Sequence, residues 1–234
     1  MRVEEGLHSW DLSLAAAREL QRDLAARVDD ARPLGRWTTI AAADVSHNRR
    51  EARLFAAVVV VRGDTFEEID RSVVVQDATF PYVPGLLSFR EAPAVLDAFR
   101  ALNTRPDVVL CDGQGRAHPR RLGLACHLGL WLGVPTIGCA KSRLHGEHRS
   151  PGETRGSRVP LLDHDEPIGA VVRSRSGVRP LYVSVGHLCD LESAIRVVLA
   201  TVPRYRVPIP LRLAHQIVNE QRRAAPREES LRQE

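Results

Sequence analysis

The stretch PDVVLCDGQGRAHPRRLGLACHLGLWLGVPTIGCAKSRLHG, residues 106–146, predicts a strand, a helix and a second strand. The first apolar run, residues 108–111, ends at Asp112, and the second, residues 137–140, ends at Lys141. A helical crossover of this length makes the two strands parallel, and ligands of parallel sheets bind beyond the carboxyl ends of the strands. We therefore expect Asp112 and Lys141 to lie at the same edge of one sheet.

The rest of the chain adds strands and helices on both sides of this unit. Strands are predicted at residues 38–45, 54–62, 66–76, 168–173 and 181–185, and further helices at residues 12–28, 89–102, 190–201 and 211–222. The short link Gly63-Asp64 is typical of a hairpin, so the strands that flank it should pair antiparallel. The polar segment 145–158 is predicted to be a long loop. The pattern indicates an α/β fold with a mixed sheet flanked by helices.

The composition is that of an ordinary globular protein. The 234 residues are 44% hydrophobic and 26% charged, and we predict one domain over residues 1–222 and a flexible tail over residues 223–234. A net charge of +4 with a pI of about 9.2 is a mild indication of a polyanionic partner. No apolar signal segment or membrane-length run occurs, and the four cysteines form no CxxC pair. These features predict a cytoplasmic protein with cysteines in its core.

Two carboxylates lie where predicted strands end, and a third lies near the start of a predicted helix. Asp44 closes the apolar run of the first strand, Asp112 closes a later one, and Glu91 lies in the first turn of a helix that Ser88 is predicted to cap. If they converge, they would repel one another without a cation, and carboxylate oxygens suit Mg²⁺ or Mn²⁺. Such ions promote phosphodiester cleavage. The alternative is that Asp112 is a turn residue before glycine and that Glu91 complements the helix dipole.

Several other residues are also candidates for a catalytic or binding role. Lys141 is the only lysine among 33 lysines and arginines. A compositional bias toward arginine is one explanation, and the other is a role beside a phosphate or metal-bound water, which a compact ammonium suits. Gly113 and Gly115 permit close backbone approach to a ligand, and His118 is placed to meet a phosphate or orient water. His215, among apolar neighbours on the last helix, is by itself typical of a structural histidine. Neither a P-loop nor a GxGxxG motif occurs, which disfavours a nucleotide cofactor.

Several segments together resemble one known family. The segments PYVPGLLSFRE (81–91), DGQGRAHPRRLGLACHLG (112–129) and PTIGCAKSRL (135–144) closely resemble the signature segments of endonuclease V, a repair nuclease of deaminated bases with an RNase H-like fold. DVS (44–46), YVSVGH (182–187) and LRLAH (211–215) also match, so the resemblance runs from about residue 12 to 222. The chain departs from the family in Gly-Gln-Gly at 113–115, where Gly-His-Gly or Gly-Asn-Gly is common. It also has alanines before Asp44, where a glycine is common.

The resemblance implies a fold and a set of site residues. The fold would be an RNase H-like mixed sheet of three antiparallel strands followed by parallel strands, flanked by helices. Asp44, Glu91 and Asp112 would hold Mg²⁺, for which Mn²⁺ can substitute, with His215 completing the site and Lys141 beside the scissile phosphate. Tyr82 would act as a wedge that helps to turn out the modified base. The substrate-binding residues would be Tyr82, Gly85, Leu87, Gly113, Gly115 and His118.

The predicted function is a Mg²⁺-dependent endonuclease of nucleic-acid repair. It would recognise deaminated bases in DNA, chiefly inosine, and hydrolyse the second phosphodiester bond 3′ to the lesion, leaving 3′-hydroxyl and 5′-phosphate ends. Three alternatives stay open: a non-catalytic binder of deaminated nucleic acid, a ribonuclease directed at inosine-containing RNA, and a glycosylase that releases the base. No membrane association and no obligate protein partner are expected.

Overall fold

The computed structural model describes residues 1–47 and 52–225, which contain eight strands and five helices. The strands are β1 Thr39–His47, β2 Arg53–Arg62, β3 Glu68–Asp77, β4 Val108–Cys111, β5 Thr136–Ala140, β6 Arg158–Asp163, β7 Glu166–Val172 and β8 Leu181–His187. The helices are α1 Leu14–Ala25, α2 Leu87–Arg100, α3 Leu124–Leu132, α4 Leu191–Ala200 and α5 Ile209–Ala224. None of these helices is long and apolar enough to cross a membrane.

All eight strands form one sheet in the order β3-β2-β1-β4-β5-β8-β7-β6. The first three strands pair antiparallel, and β4 and β5 run parallel to β1, which confirms the predicted mixed sheet. Beyond β5 the sheet continues with β8, β7 and β6, each antiparallel to its neighbour. The β4–α3–β5 unit at the centre is the strand, helix and strand expected from residues 106–146.

Helices cover both faces of the central strands. Residues of α4 and α5 share one apolar cluster with Ile40 and Ala42, whereas residues of α2 and α3 share the other with Ala41 and Ala43. Since side chains alternate between the faces of a strand, burial of both faces requires the continuous apolar run of β1. All four cysteines are unpaired and buried, as predicted.

Three local predictions need correction. β6 was missed because its sequence RVPLLD contains Pro160, and a proline is tolerated in a strand at the edge of a sheet, where β6 lies. α2 begins at Leu87 after Leu86, so Ser88 lies inside the helix and is not its cap. α5 extends through Arg223 to Ala224, two residues into the predicted tail, and the rest of that tail, residues 226–234, lies outside the described residues.

Candidate active site

Three side chains from separate elements converge near the carboxyl ends of β1 and β4. Ala43 pairs with Cys111 across the parallel strands, so Asp44 and Asp112 follow at neighbouring positions. His215 reaches them from α5, and its Nδ1 lies 2.7 Å from Oδ2 of Asp44. One ligand atom from each of Asp44, Asp112 and His215 lies within 4.8 Å of the other two. We call this group the acidic cluster.

Asp44 differs from its predicted position at a strand end. β1 continues three residues beyond it to His47, because the chain keeps pairing with β2 after its pairing with β4 has ended. Asp112 and Lys141, in contrast, directly follow β4 and β5, as predicted. The Nζ atom of Lys141 contacts Oδ2 of Asp112, so the lone lysine lies beside the cluster.

Glu91 lies next to the acidic cluster but outside the group of atoms that are mutually within 4.8 Å. It is the fifth residue of α2, not part of the first turn, and only 7% of its surface is exposed. Burial, followed by the negative charge of Asp44, raises the pKa of Glu91 to about 8. Burial and the charge of Asp112 also raise the pKa of Asp44.

The donor set suits a hard divalent cation. The carboxylate of Asp44 lies beside that of Asp112 in a partly desolvated site, which raises the pKa of Asp44, and a cation between the two groups would remove the repulsion. Mg²⁺ and Mn²⁺ prefer carboxylate oxygens and tolerate an imidazole nitrogen. Asp44, Asp112 and His215 are therefore able to hold such an ion, with the carboxyl group of Glu91 close by.

A cavity of about 410 Å³ opens beside the acidic cluster. Its wall contains Glu91, Asp112 and Lys141 together with five of the six residues predicted to bind substrate: Tyr82, Gly85, Leu87, Gly113 and His118. The sixth, Gly115, does not line the cavity. A Cβ atom at Gly115 would overlap the backbone carbonyl of Val185, so this glycine permits close packing against β8. We call this space the lesion cavity, after the modified base that the resemblance to endonuclease V leads us to expect in it.

The carbonyl group of Gly85, in the loop before α2, accepts three hydrogen bonds from other parts of the chain. Gly85 has a φ of 78°, which favours glycine, and its carbonyl oxygen accepts hydrogen bonds from Nε2 of Gln21 (3.0 Å), Nε2 of His118 (3.0 Å) and Nη2 of Arg120 (2.7 Å). Nδ1 of His118 accepts from the backbone N–H of Arg120, so both ring nitrogens are engaged within the protein. Burial and the nearby charge of Arg120 lower the pKa of His118 to about 4.

Gln21 and Arg120 were not predicted to belong to the site. Gln21 is fully buried, and it also donates to the carbonyl of Leu122 and accepts from Nε of Arg120. The sequence did contain a signal for Gln21. It lies between Ala17 and Leu24 on the buried stripe of α1, where a polar side chain needs a hydrogen-bond partner. Arg120 gave no comparable signal in so arginine-rich a chain.

Gln21→Leu is expected to lower the free energy of unfolding by about 2 kcal/mol. The substitution keeps the volume but leaves the buried carbonyl of Leu122 and Nε of Arg120 without this partner. Urea unfolding measures the loss. Gln221→Leu, on the exposed part of α5, is the matched control and should change stability by less than about 0.5 kcal/mol. Equal stability of the two variants would contradict a fixing role for Gln21.

Comparison with known proteins identifies the family. The family model for endonuclease V matches residues 19–216. The chain belongs to the endonuclease V family. Endonuclease V of Myxococcus xanthus is 48% identical over 225 residues, which is 96% of each chain. The crystal structure of endonuclease V from Streptomyces avermitilis has a TM-score of 0.88 and 40% identity, and the match covers 92% of this chain and 95% of that one.

A more distant endonuclease V shares the fold. The structure of Ciona intestinalis endonuclease V in complex with DNA has a TM-score of 0.76 at 23% identity, over 90% of this chain and 98% of that chain. The resemblance to endonuclease V that the sequence motifs suggested is thus confirmed over most of the chain. Endonuclease V proteins are nucleases, so the reaction class of this family is hydrolysis of phosphodiester bonds in nucleic acid.

Proposed function

We propose that this chain is a Mg²⁺-dependent endonuclease that holds a deaminated base, chiefly hypoxanthine, in the lesion cavity. It would hydrolyse the second phosphodiester bond 3′ to the lesion and leave 3′-hydroxyl and 5′-phosphate ends. The observation that carries the proposal is the contiguity of two features: Asp112 belongs both to the acidic cluster and to the wall of the lesion cavity. A base turned into the cavity brings the neighbouring backbone of its own strand to the cluster.

A relative supports the choice of substrate. The Ciona intestinalis endonuclease V was crystallised with a 24mer DNA that contains an inosine followed by a ribo-adenosine. We carry DNA with deaminated bases over to this chain as the proposed substrate. Inosine-containing RNA is the alternative substrate and is included in the test below.

The proposed metal ligands are Asp44, Glu91 and Asp112, with His215 completing the site and Mn²⁺ able to replace Mg²⁺. When bound, a divalent ion lowers the pKa of water and stabilises charge on the leaving oxygen. His215 holds the carboxylate of Asp44 in place through its Nδ1. Lys141, whose side chain is 41% exposed, offers its ammonium both to Asp112 and to the scissile phosphate.

The lesion cavity is proposed to recognise the base through backbone groups and loop residues. Gly85, Leu87 and Gly113 line it, and Tyr82 stands at its edge with 47% of its surface exposed. An exposed aromatic ring between Pro81 and Pro84 is held by a stiff backbone, which suits insertion between base pairs. His118 would act on the substrate by holding the carbonyl of Gly85.

Tyr82→Ala is expected to reduce kcat/KM on inosine in a duplex by about tenfold. Turning a base out of the stack costs a few kcal/mol, and the ring offsets part of that cost. The loss should be smaller on single-stranded inosine DNA, where less stacking is broken. Steady-state nicking of both substrates measures the difference, and Tyr82→Phe, which keeps the ring, serves as control. An equal loss on the two substrates would contradict the wedge role.

The direct test of the function is nicking of an inosine-containing duplex with Mg²⁺, with Mn²⁺ and with chelator. An adenosine duplex of the same sequence is the control, and matched inosine DNA and RNA compare the two sugars. Mapping the product ends checks the cut position and the 3′-hydroxyl and 5′-phosphate groups. Binding without cleavage would favour the non-catalytic binder, and release of free hypoxanthine would favour a glycosylase.

A further inference from the structure

Positive charge is concentrated in two segments whose arginines belong neither to the acidic cluster nor to the wall of the lesion cavity. Residues 173–181 and 203–216 contain six arginines and no aspartate or glutamate. One of the six, Arg173, is buried and pairs with Glu153 at 3.0 Å. Four are exposed and form no ion pair with a carboxylate of residues 1–47 or 52–225: Arg175, Arg179, Arg204 and Arg212.

The two segments are joined to each other and to the strand end that carries Lys141. Nη2 of Arg206 donates to the backbone carbonyl of Lys141 at 3.0 Å, and its Nε donates to the carbonyl of Arg179 at 2.8 Å. Nη1 of Arg175 donates to the carbonyl of Arg204 at 3.3 Å. These contacts hold the backbones of the two segments together next to the strand end that carries Lys141.

An aromatic ring lies in the middle of this charge. Tyr205 is 39% exposed, and the guanidinium carbon of Arg212 lies 4.0 Å from the centre of its ring. A second cavity, of about 310 Å³, is lined by Tyr205, Arg212 and His215, among others. Aromatic and guanidinium planes stack nucleobases with little regard to sequence, and surrounding arginines neutralise phosphates. We call the surface formed by Arg175, Arg179, Arg204, Tyr205 and Arg212 the basic platform.

The basic platform and the lesion cavity meet the acidic cluster through different residues. The lesion cavity contains Asp112, whereas the cavity at the platform contains His215, and the two cavities share no lining residue. His215 and Asp112 are both within 4.8 Å of the cluster's third member, Asp44, through their ligand atoms. A nucleic-acid strand that leaves the lesion cavity and crosses the acidic cluster therefore arrives at Tyr205 and Arg212.

We propose that the basic platform binds the cleaved strand on the 3′ side of the cut, by stacking one base on Tyr205 and Arg212 and by pairing its phosphates with the neighbouring arginines. This inference rests on the proposed function, because a cut 3′ to the lesion makes the nucleotides beyond the cluster the 3′ product. The exposed ring of Tyr205 distinguishes a nucleic-acid partner from an acidic peptide, because the carboxylates of a peptide would pair with the arginines but would make no use of the ring face.

The test is equilibrium binding to inosine strands, measured in chelator so that no cleavage is needed. One strand ends just beyond the expected cut, and the other has a long 3′ arm. The variants are Tyr205→Ala, Tyr205→Phe and Arg212→Ala. The control is Arg62→Ala, which removes the same charge at a residue paired with Thr39, at the opposite end of β1 from the acidic cluster.

Tyr205→Ala and Arg212→Ala are expected to weaken binding of the long-armed strand about tenfold and to leave binding of the short strand within about twofold of wild type. Arg212→Ala should also reduce the salt dependence of binding by about one phosphate contact. Tyr205→Phe should bind like wild type. Three results would overturn the platform. The loss of affinity in Tyr205→Ala and Arg212→Ala could be equal for the two strands, it could be no larger than the loss in Arg62→Ala, or it could occur only when a complementary strand is present.

The same proteins separate this inference from the proposed function. If wild type cleaves the inosine duplex but the variants lose equal affinity for the short and the long-armed strand, the proposed function is supported and the platform is refuted. Absence of cleavage by wild type, with an arm-dependent loss in Tyr205→Ala and Arg212→Ala, would refute the nuclease and support the platform as a nucleic-acid surface.

Discussion

Asp112→Asn is expected to lower the cleavage rate on inosine DNA by about a thousandfold while binding of the same DNA stays within about threefold of wild type. The carboxylate is a member of the acidic cluster, and the amide that replaces it cannot supply the charge that a divalent ion needs. A thousandfold loss corresponds to about 4 kcal/mol of activation free energy. Single-turnover nicking with saturating enzyme measures the rate, equilibrium titration in chelator measures binding of the DNA, and calorimetric titration of Mn²⁺ measures the loss of metal affinity.

The fold should survive this substitution. Asp112 is one of the charges that raise the pKa of Asp44 and Glu91, so its removal relieves repulsion in the protein without a metal. We expect the free energy of unfolding in chelator to equal or exceed that of wild type. Asp165→Asn, in the exposed turn between β6 and β7, controls for the loss of one negative charge and should cleave normally. Wild-type cleavage by Asp112→Asn would refute the proposed metal site.

Lys141→Met is expected to lower the cleavage rate by about a hundredfold. Its ammonium contacts Asp112 at the wall of the lesion cavity, where it can neutralise charge on the scissile phosphate. Charge stabilisation of this kind by one positioned donor is worth roughly 3 kcal/mol. The loss should appear in the single-turnover rate constant more than in the Kd for DNA, because the interaction strengthens as charge develops.

Lys141→Arg distinguishes charge from shape. The guanidinium keeps the positive charge but is larger and planar, and the contact with Asp112 is made by a compact ammonium. We expect this variant to recover less than about a tenth of the wild-type rate. Arg143→Lys, on the same cavity wall, is the reciprocal control and should retain most activity. Wild-type turnover of Lys141→Arg would show that the single lysine is a product of composition alone.

The central part of the fold was predictable because its signals are local. The apolar runs of β4 and β5 and the length of the segment between them require a parallel crossover, and Gly63-Asp64 identifies a hairpin. The strand at the far edge of the sheet was harder to predict from the sequence. β6 contains a proline, which argued against a strand in the sequence, and it forms one because its pairing with β7 leaves it at the edge of the sheet. β7 begins only three residues after β6 ends, so the pairing itself is local.

The site divides in the same way. The positions of Asp112 and Lys141 at strand ends follow from the sequence, since each stops an apolar run. The position of Glu91 within its helix does not follow from the sequence, because α2 begins at Leu87 and Ser88, the predicted cap, lies inside it. The network around the carbonyl of Gly85 was also out of reach. It joins Gln21, His118 and Arg120, from two parts of the chain that only folding brings together.

The sequence by itself determined the family, the mixed sheet and the identity of the chemical groups, because these depend on residue types and on their spacing along the chain. The tertiary structure alone decided that His215 contacts Asp44 through Nδ1, that Glu91 stays outside the closest group of ligand atoms, and that Tyr205 and Arg212 line a cavity together with His215. The reason is physical. Distances between side chains on different elements depend on how helices pack across the sheet, and no local pattern in the chain encodes that packing.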